Sequence, residues 1–256
     1  MLLLRGKKAL VFGVLNDKSI AWAIAQAFHE QGAELAITYA DKVHEKRVRL
    51  LAESLDAKLI HPCNVANDGE IKEVLRKIEV LWGSLDIIIH AVAFAEKNEL
   101  AGTILNTSRE GFATTLDISV YSLLGIMKEA LPVMRGRNTA VLTLSYYGAA
   151  KVFPNYNAMG VAKAALEALV RYLAVAAGSE GIRVNAISAG PVRTLASFGI
   201  AGFSQVFGHV AAKAPLCRNI TQGDIARSAV YLCSELASGV TGEIHYVDSG
   251  YNVIGV

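Results

Sequence analysis

Lys8-Ala9-Leu10-Val11-Phe12-Gly13-Val14-Leu15-Asn16-Asp17-Lys18-Ser19-Ile20-Ala21 decides the fold. The run from Lys8 to Gly13 is short and apolar, which fits a strand buried on both faces. Ser19 is a helix-capping residue type, and the segment from Ile20 to Gln31 has helical periodicity until Gly32 ends it. The same alternation recurs along the chain. Apolar runs at Glu34 to Tyr39, Lys58 to Pro62, Leu85 to Ala91, Ala140 to Ser145, Arg183 to Ser188 and Glu243 to Val247 read as six more strands. Helical patterns lie near 42–55, 68–81, 107–134, 156–178 and 222–236. Strand–helix alternation predicts a parallel sheet covered on both faces, a doubly wound α/β fold of the Rossmann type with seven strands. No Pro/Gly/Ser-rich linker or internal repeat interrupts it, so residues 1–256 are expected to form one domain.

Composition narrows the function. Of 256 residues, 53% are hydrophobic and 19% charged, and the formal net charge is +2, so no polyanionic partner is implied. No basic run with interleaved aromatics points to nucleic acid. The apolar stretch at Met1 to Leu4 is too short for a secretory signal. No run approaches the roughly 20 apolar residues of a membrane helix. Cys63, Cys217 and Cys233 are odd in number and widely spaced, which reads as reduced thiols in a cytoplasmic protein. His61 and Cys63 lack a second pair, so no metal site is expected.

Ligands of such sheets bind at the carboxyl ends of the strands. Only Gly13 in the first of these loops is a glycine, so G-x-G-x-x-G is not matched. Its placement between strand and helix still offers helix N-terminal amides to a pyrophosphate, with Ser19 as cap and phosphate contact. Asp41 follows the second strand, where a carboxylate holds an adenosine ribose and favours NADH. Lys42, Lys46 and Arg47 lie beside it and would favour the extra phosphate of NADPH, and a solvated helix start accounts for Asp41 equally well. Cys63-Asn64-Val65 and Ala91-Val92-Ala93 end the third and fourth strands, where they either face a dinucleotide or pack under the sheet edge.

Tyr156 and Lys163 lie seven positions apart, nearly two helical turns, and so share a face of a helix. An ammonium beside a phenol is expected to lower the phenol's pKa, which makes the pair a candidate proton donor. Tyr147-Gly148-Ala149-Ala150-Lys151 offers a competing Tyr-x3-Lys. Pro154 follows it closely, and proline costs about 3 kcal/mol in a helix interior, so the longer helical pattern containing Lys163 is preferred. No G-x-S-x-G elbow supports a hydrolase. His61 and His90 are expected to be structural.

Three stretches together are more specific: Leu144-Ser145-Tyr146-Tyr147-Gly148, Pro154 to Lys163, and Arg183-Val184-Asn185-Ala186-Ile187-Ser188-Ala189-Gly190-Pro191-Val192-Arg193-Thr194. With Gly13 to Ala21 and Val247-Asp248-Ser249-Gly250-Tyr251, they make the chain, over its whole length, similar to the NADH-dependent enoyl-[acyl-carrier-protein] reductases of bacterial fatty-acid synthesis. These are a divergent branch of the short-chain dehydrogenase/reductases. The resemblance implies hydride transfer to a trans-2-enoyl thioester carried by acyl carrier protein. It implies that Tyr156 stabilises the enolate oxygen, that Lys163 holds the nicotinamide ribose, and that Tyr146 is the second tyrosine of the site. Gly13, Ser19, Ile20, Asn64, Val65 and Val92 would line the nucleotide. Val192, Arg193, Thr194, Leu195 and Ala196 would wrap its carboxamide and pyrophosphate. Ala95, Met159, Ile200 and Phe203 would join the two tyrosines around the substrate. The chain departs from the pattern at Asn64, where aspartate is frequent, at Ala40, where a longer polar residue is common, and at Ala93, which replaces a frequent glycine.

Leu195 to Ala212 corresponds to the family's mobile substrate-binding segment, and its Phe198, Ile200, Phe203, Val206 and Phe207 between glycines suit an apolar flap. The alternative is an amphipathic helix docked on the core. No Lys or Arg lies between Arg193 and Lys213, so a basic surface for the acidic carrier must draw on Arg193, Lys213 or Arg218, and docking is expected to be weaker or placed differently than in relatives with a basic flap. Ala164 to Ala177 is apolar on nearly every side, which calls for another subunit, and the resemblance implies a homotetramer. Two rivals remain at this stage: a 3-oxoacyl or alcohol dehydrogenase of the commoner short-chain type, and a dinucleotide-binding sensor on the same scaffold.

Overall fold

In the computed structural model, which describes residues 2–255, the elements run β1 (Lys8–Phe12), α1 (Ile20–Glu30), β2 (Glu34–Tyr39), α2 (Lys42–Glu53), β3 (Leu59–Pro62), α3 (Asp68–Trp82), β4 (Ile87–His90), α4 (Lys97–Leu100), α5 (Arg109–Leu116), α6 (Ser122–Met134), β5 (Thr139–Ser145), α7 (Asn157–Gly178), β6 (Ile182–Ala189), α8 (Phe203–Lys213), α9 (Gln222–Cys233) and β7 (Ile244–Val247). The strands form a seven-stranded sheet in the order β3-β2-β1-β4-β5-β6-β7, with every pairing parallel. The order in which successive strands are added reverses between β1 and β4, which opens the crevice where such folds take ligands.

Alternation along each strand feeds two cores. Ala9 and Val11 of β1, Ile87 and Ile89 of β4, and Ala140 and Leu142 of β5 point to one face, where α1, α2 and α9 cover them. Leu10, Phe12, Ile88 and Val141 point to the other, under α3, α6 and α7. Both faces are therefore dry, as expected for strands that read as continuous apolar runs.

The expected helix over 107–134 is interrupted. A π turn, Asp117–Tyr121, separates α5 from α6. The wider turn carries Ser119, whose hydroxyl accepts a hydrogen bond from the Phe94 amide at 3.0 Å and donates to the Phe94 carbonyl at 3.2 Å. These two bonds brace the loop leaving β4. The expected helix over 222–236 ends at Cys233 and gives way to a single 3₁₀ turn, Glu235–Ala237.

Asp41 is the N-cap of α2, its carboxylate accepting from the amides of Val43 and His44. That contact fits the solvated helix start considered for Asp41 and leaves the carboxylate exposed at the end of β2. Among the described residues, no helix is long and apolar enough to cross a membrane.

Candidate active site

Gly13, the first residue past β1, sits at the reversal point. Its φ of +99° lies in the region that glycine tolerates, and a Cβ there would fall 2.1 Å from the Ala91 carbonyl oxygen at the end of β4. The close approach of these two strand ends requires glycine. The loop then enters α1 through Ser19. The Ser19 hydroxyl makes no helix cap. It turns back and accepts from the amides of Leu15 and Asn16 at 3.1 and 3.0 Å. The first-turn amides of α1 have no intrahelical acceptor, because the helix starts there.

Beside this loop lies a cavity of about 530 Å³, and its walls come largely from the segments at the ends of four strands, β1, β4, β5 and β6. Leu15 and Ile20 stand at one side, Ala93, Phe94 and Ala95 follow β4, Ser145 and Tyr146 end β5, Ala189 to Val192 leave β6, and residues from Thr194 to Val206 close the far side. Tyr156 and Met159 enter from the start of α7. The structure thus gathers Ile20, Ala95, Tyr146, Tyr156, Met159, Val192, Thr194, Leu195, Ala196, Ile200 and Phe203 around one space. It also brings in Phe94, Lys97, Leu100 and Phe153, which no sequence motif singled out. Their only advance signal was position, in the segments that follow β4 and β5.

The remaining candidates lie around this space rather than on it. Asn64 and Val65 follow β3 and Val92 follows β4, all at the carboxyl edge of the sheet. The Asn64 side chain is exposed and accepts from the Ala66 amide. Arg193 points outward, its guanidinium stacked 4.7 Å from the Phe207 ring centroid. That contact ties the loop after β6 to α8, the helix of the expected flap. Only Val210 of α8 is buried, so the helix lies lightly on the core.

Tyr146 and Tyr156 meet edge to face, with ring centroids 5.1 Å apart, and Met159, Ala162 and Phe153 pack around them. Gly148 makes room for the pair: a Cβ there would lie 2.6 Å from Cδ1 of Tyr156 and 3.0 Å from Cδ1 of Tyr146. Gly148→Ala should therefore displace the Tyr156 ring and lower turnover at least tenfold, while dinucleotide affinity, which depends on other elements, stays within about threefold. Steady-state kinetics beside a binding titration check this split.

The electrostatics correct one expectation. The Tyr156 hydroxyl is pushed up from its ordinary pKa, not down, chiefly by burial and secondarily by Tyr146. Tyr146 moves the same way, through burial and then Tyr251. Lys163 does share the inner face of α7, but its Nζ donates to the Leu144 carbonyl at 2.7 Å. Burial lowers its pKa to about 8, against an upward pull from Glu167. Desolvation sets the sign, so Tyr156 stays neutral and remains a hydrogen-bond donor at neutral pH.

Other titratable groups are accounted for structurally. His90 is fully buried between the hydroxyls of Thr143 and Ser122, each 2.8 Å away, and burial lowers its pKa to about 3. The Tyr147 hydroxyl donates to the Asn252 carbonyl, and Lys151 is exposed beyond the 3₁₀ turn Tyr147–Ala149, so the shorter Tyr-x3-Lys spacing does not sit on a helix. Burial raises the thiols of Cys63 and Cys233 to about 12, which leaves them unreactive. Among the described residues, no cluster of three or more His, Cys, Asp or Glu is arranged to hold a metal.

Comparison with known proteins agrees with this architecture. The family model described as enoyl-(acyl carrier protein) reductase matches residues 13–252. The enoyl-[acyl-carrier-protein] reductase [NADH] FabI of Aquifex aeolicus is 52% identical over 254 residues, covering 99% of this chain and 94% of that protein. The Neisseria meningitidis enzyme of the same name is 51% identical and covers 98% of this chain and 96% of its own length. Among solved structures, the Aquifex aeolicus reductase superposes with a TM-score of 0.97 over 99% of both chains. The Anaplasma phagocytophilum reductase, solved in complex with NAD, is 50% identical and superposes at 0.95, covering 100% of this chain and 97% of that one. The strand order, the cavity at the reversal point and this likeness over nearly the full length place the chain in the enoyl-(acyl carrier protein) reductase family.

Proposed function

We propose that the protein is an NADH-dependent enoyl-[acyl-carrier-protein] reductase, acting on the carbon–carbon double bond of an enoyl thioester. The observation that carries the reading is the Tyr146–Tyr156 pair on the wall of an apolar cavity that runs from the strand-reversal crevice to the underside of α8. The residues present fit a dinucleotide. The lining includes one cation, Lys97, and no carboxylate, and the first turn of α1 offers amides to an anion. When bound, the dinucleotide supplies the hydride.

The chain's own residues do the rest. Lys163 holds the ribose hydroxyls, and the backbone from Val192 to Ala196 wraps the carboxamide and pyrophosphate. Tyr156, neutral because it is buried, donates a hydrogen bond to the thioester oxygen as negative charge develops there. A placed donor of that kind is often the largest single catalytic contribution. Ala95, Met159, Ile200 and Phe203 enclose the acyl chain, and α8 acts as the flap over residues 195–212. The Asp41 carboxylate, held below the ordinary carboxylate range chiefly by the His44 ring 2.8 Å away, places a negative charge at the end of β2 and favours NADH over a 2′-phosphorylated cofactor.

Acyl carrier protein presents the substrate. Lys97 on the cavity wall is exposed, as are Arg193 and Lys213 at either end of the 194–212 segment, whereas Arg218 is committed to Asp224 at 2.8 Å. The outer face of α7 leaves Tyr172 78% and Val175 85% exposed, and we assign this face to further copies of the chain in a homotetramer. Three free cysteines suit the cytoplasm.

Oxidation of NADH in the presence of a crotonyl thioester tests the reading. Its pH dependence is also set: kcat/KM for NADH should fall as pH rises through about 8, where the buried Lys163 gives up its proton. Lys163→Met should remove that limb.

A further inference from the structure

We infer that Glu167 is a positioning residue for Lys163: anchored on the Ser145 hydroxyl, its carboxylate places negative charge one helical turn from the ammonium and holds α7 in register with the end of β5. The inference rests on the cofactor-binding role given to Lys163 above.

Two adjacent rungs join α7 to the last residues of β5. In the first, Lys163 Nζ donates to the Leu144 carbonyl at 2.7 Å. In the second, Ser145 Oγ donates to Glu167 Oε1 at 2.5 Å. Lys163 and Glu167 are one helical turn apart and lie on the same side of α7. Leu144 and Ser145 directly precede Tyr146, so the rungs set how the tyrosine just past β5 meets the other at the start of α7.

The charge pattern singles out Glu167. Lys163 is 6% exposed, and removal from water disfavours its charged form. Glu167 is the group that opposes this shift. The other titratable groups facing the pair do not supply that charge. His90 of β4 is buried and neutral. Tyr246 of β7 and Arg171, on the next turn of α7, face Glu167, and both Lys163 and Arg171 favour its ionised form against burial. Tyr146 and Tyr156 are neutral phenols. A purely structural staple would need only the Ser145 hydrogen bond. A positioning role needs the charge as well, and substitution separates the two.

NADH affinity is measured against pH for the wild type, Glu167→Gln and Glu167→Asp, with thermal melts to verify folding and with enoyl-thioester turnover in parallel. The amide of Glu167→Gln can still accept from Ser145 but carries no charge. Its alkaline limb should move down by roughly half to one pH unit, and Glu167→Asp should restore the limb towards the wild-type position. Ser145→Ala, which leaves α7 unchanged, should shift the limb the same way and serves if Glu167→Gln fails to fold. A limb that superimposes on the wild type, or a loss of affinity equal at every pH, overturns the inference. Absent turnover in the wild type would count against the reductase reading, while the NADH-binding profile would still decide the role of Glu167.

Discussion

Tyr156→Phe should lower kcat with an enoyl thioester by roughly 10²–10³, the loss of about 2.7–4 kcal/mol that follows removal of a donor aimed at developing negative charge. The ring is 9% exposed and packs against Tyr146, Met159 and Ala162, and phenylalanine preserves that packing. The melting temperature and NADH affinity should therefore change little. The loss should appear in kcat and kcat/KM together, because the hydrogen bond forms only as charge accumulates. A variant that binds NADH normally and turns over at more than about a third of the wild-type rate would remove Tyr156 from the chemistry.

Gly13→Ala should produce the largest loss of stability of any single methyl added at the site. The φ of +99° disfavours every L side chain, and the new Cβ would overlap the Ala91 carbonyl oxygen at 2.1 Å and its carbon at 2.7 Å. Left-handed backbone costs about 1–2 kcal/mol and overpacking about 1–3 kcal/mol more, so a loss of about 3 kcal/mol is expected. For a chain of this size that corresponds to a fall in Tm of roughly 6–12 °C. Relief requires β1 and β4 to part at the crevice, so NADH affinity should fall with stability. Thermal melts in the presence and absence of NADH measure both, and an unchanged Tm would mean that the strand ends are not held together as described.

The strands and most helices were legible because alternation and helical periodicity follow directly from burial on two faces of one sheet. The crevice was legible from the position of Gly13 despite the missing glycine fingerprint, since what matters there is one close backbone approach. The π turn at Asp117–Tyr121 was not legible, because its five side chains are compatible with ordinary helix and its hydroxyl contact is with Phe94, distant in sequence. Phe94, Lys97, Leu100 and Phe153 were missed for a related reason: irregular segments take their path from what they pack against. Tyr156 and Lys163 are both buried, Tyr156 as the N-cap of α7 and Lys163 within it, yet their spacing gave the wrong sign for the phenol's pKa. Spacing tells which groups are near, while the sign depends on how much water burial removes. Ser19 shows the same limit in miniature. Its position at the start of α1 was right, and its hydroxyl serves the preceding loop instead.

The most direct test of the central claim is NADH oxidation by the wild-type chain with a crotonyl thioester, run beside a 3-oxoacyl thioester. The account predicts turnover with the enoyl substrate and at least a hundredfold less with the 3-oxoacyl one. Turnover confined to the 3-oxoacyl thioester, or NADH binding with no turnover of either, would contradict it, the first result marking a ketone reductase and the second a dinucleotide sensor.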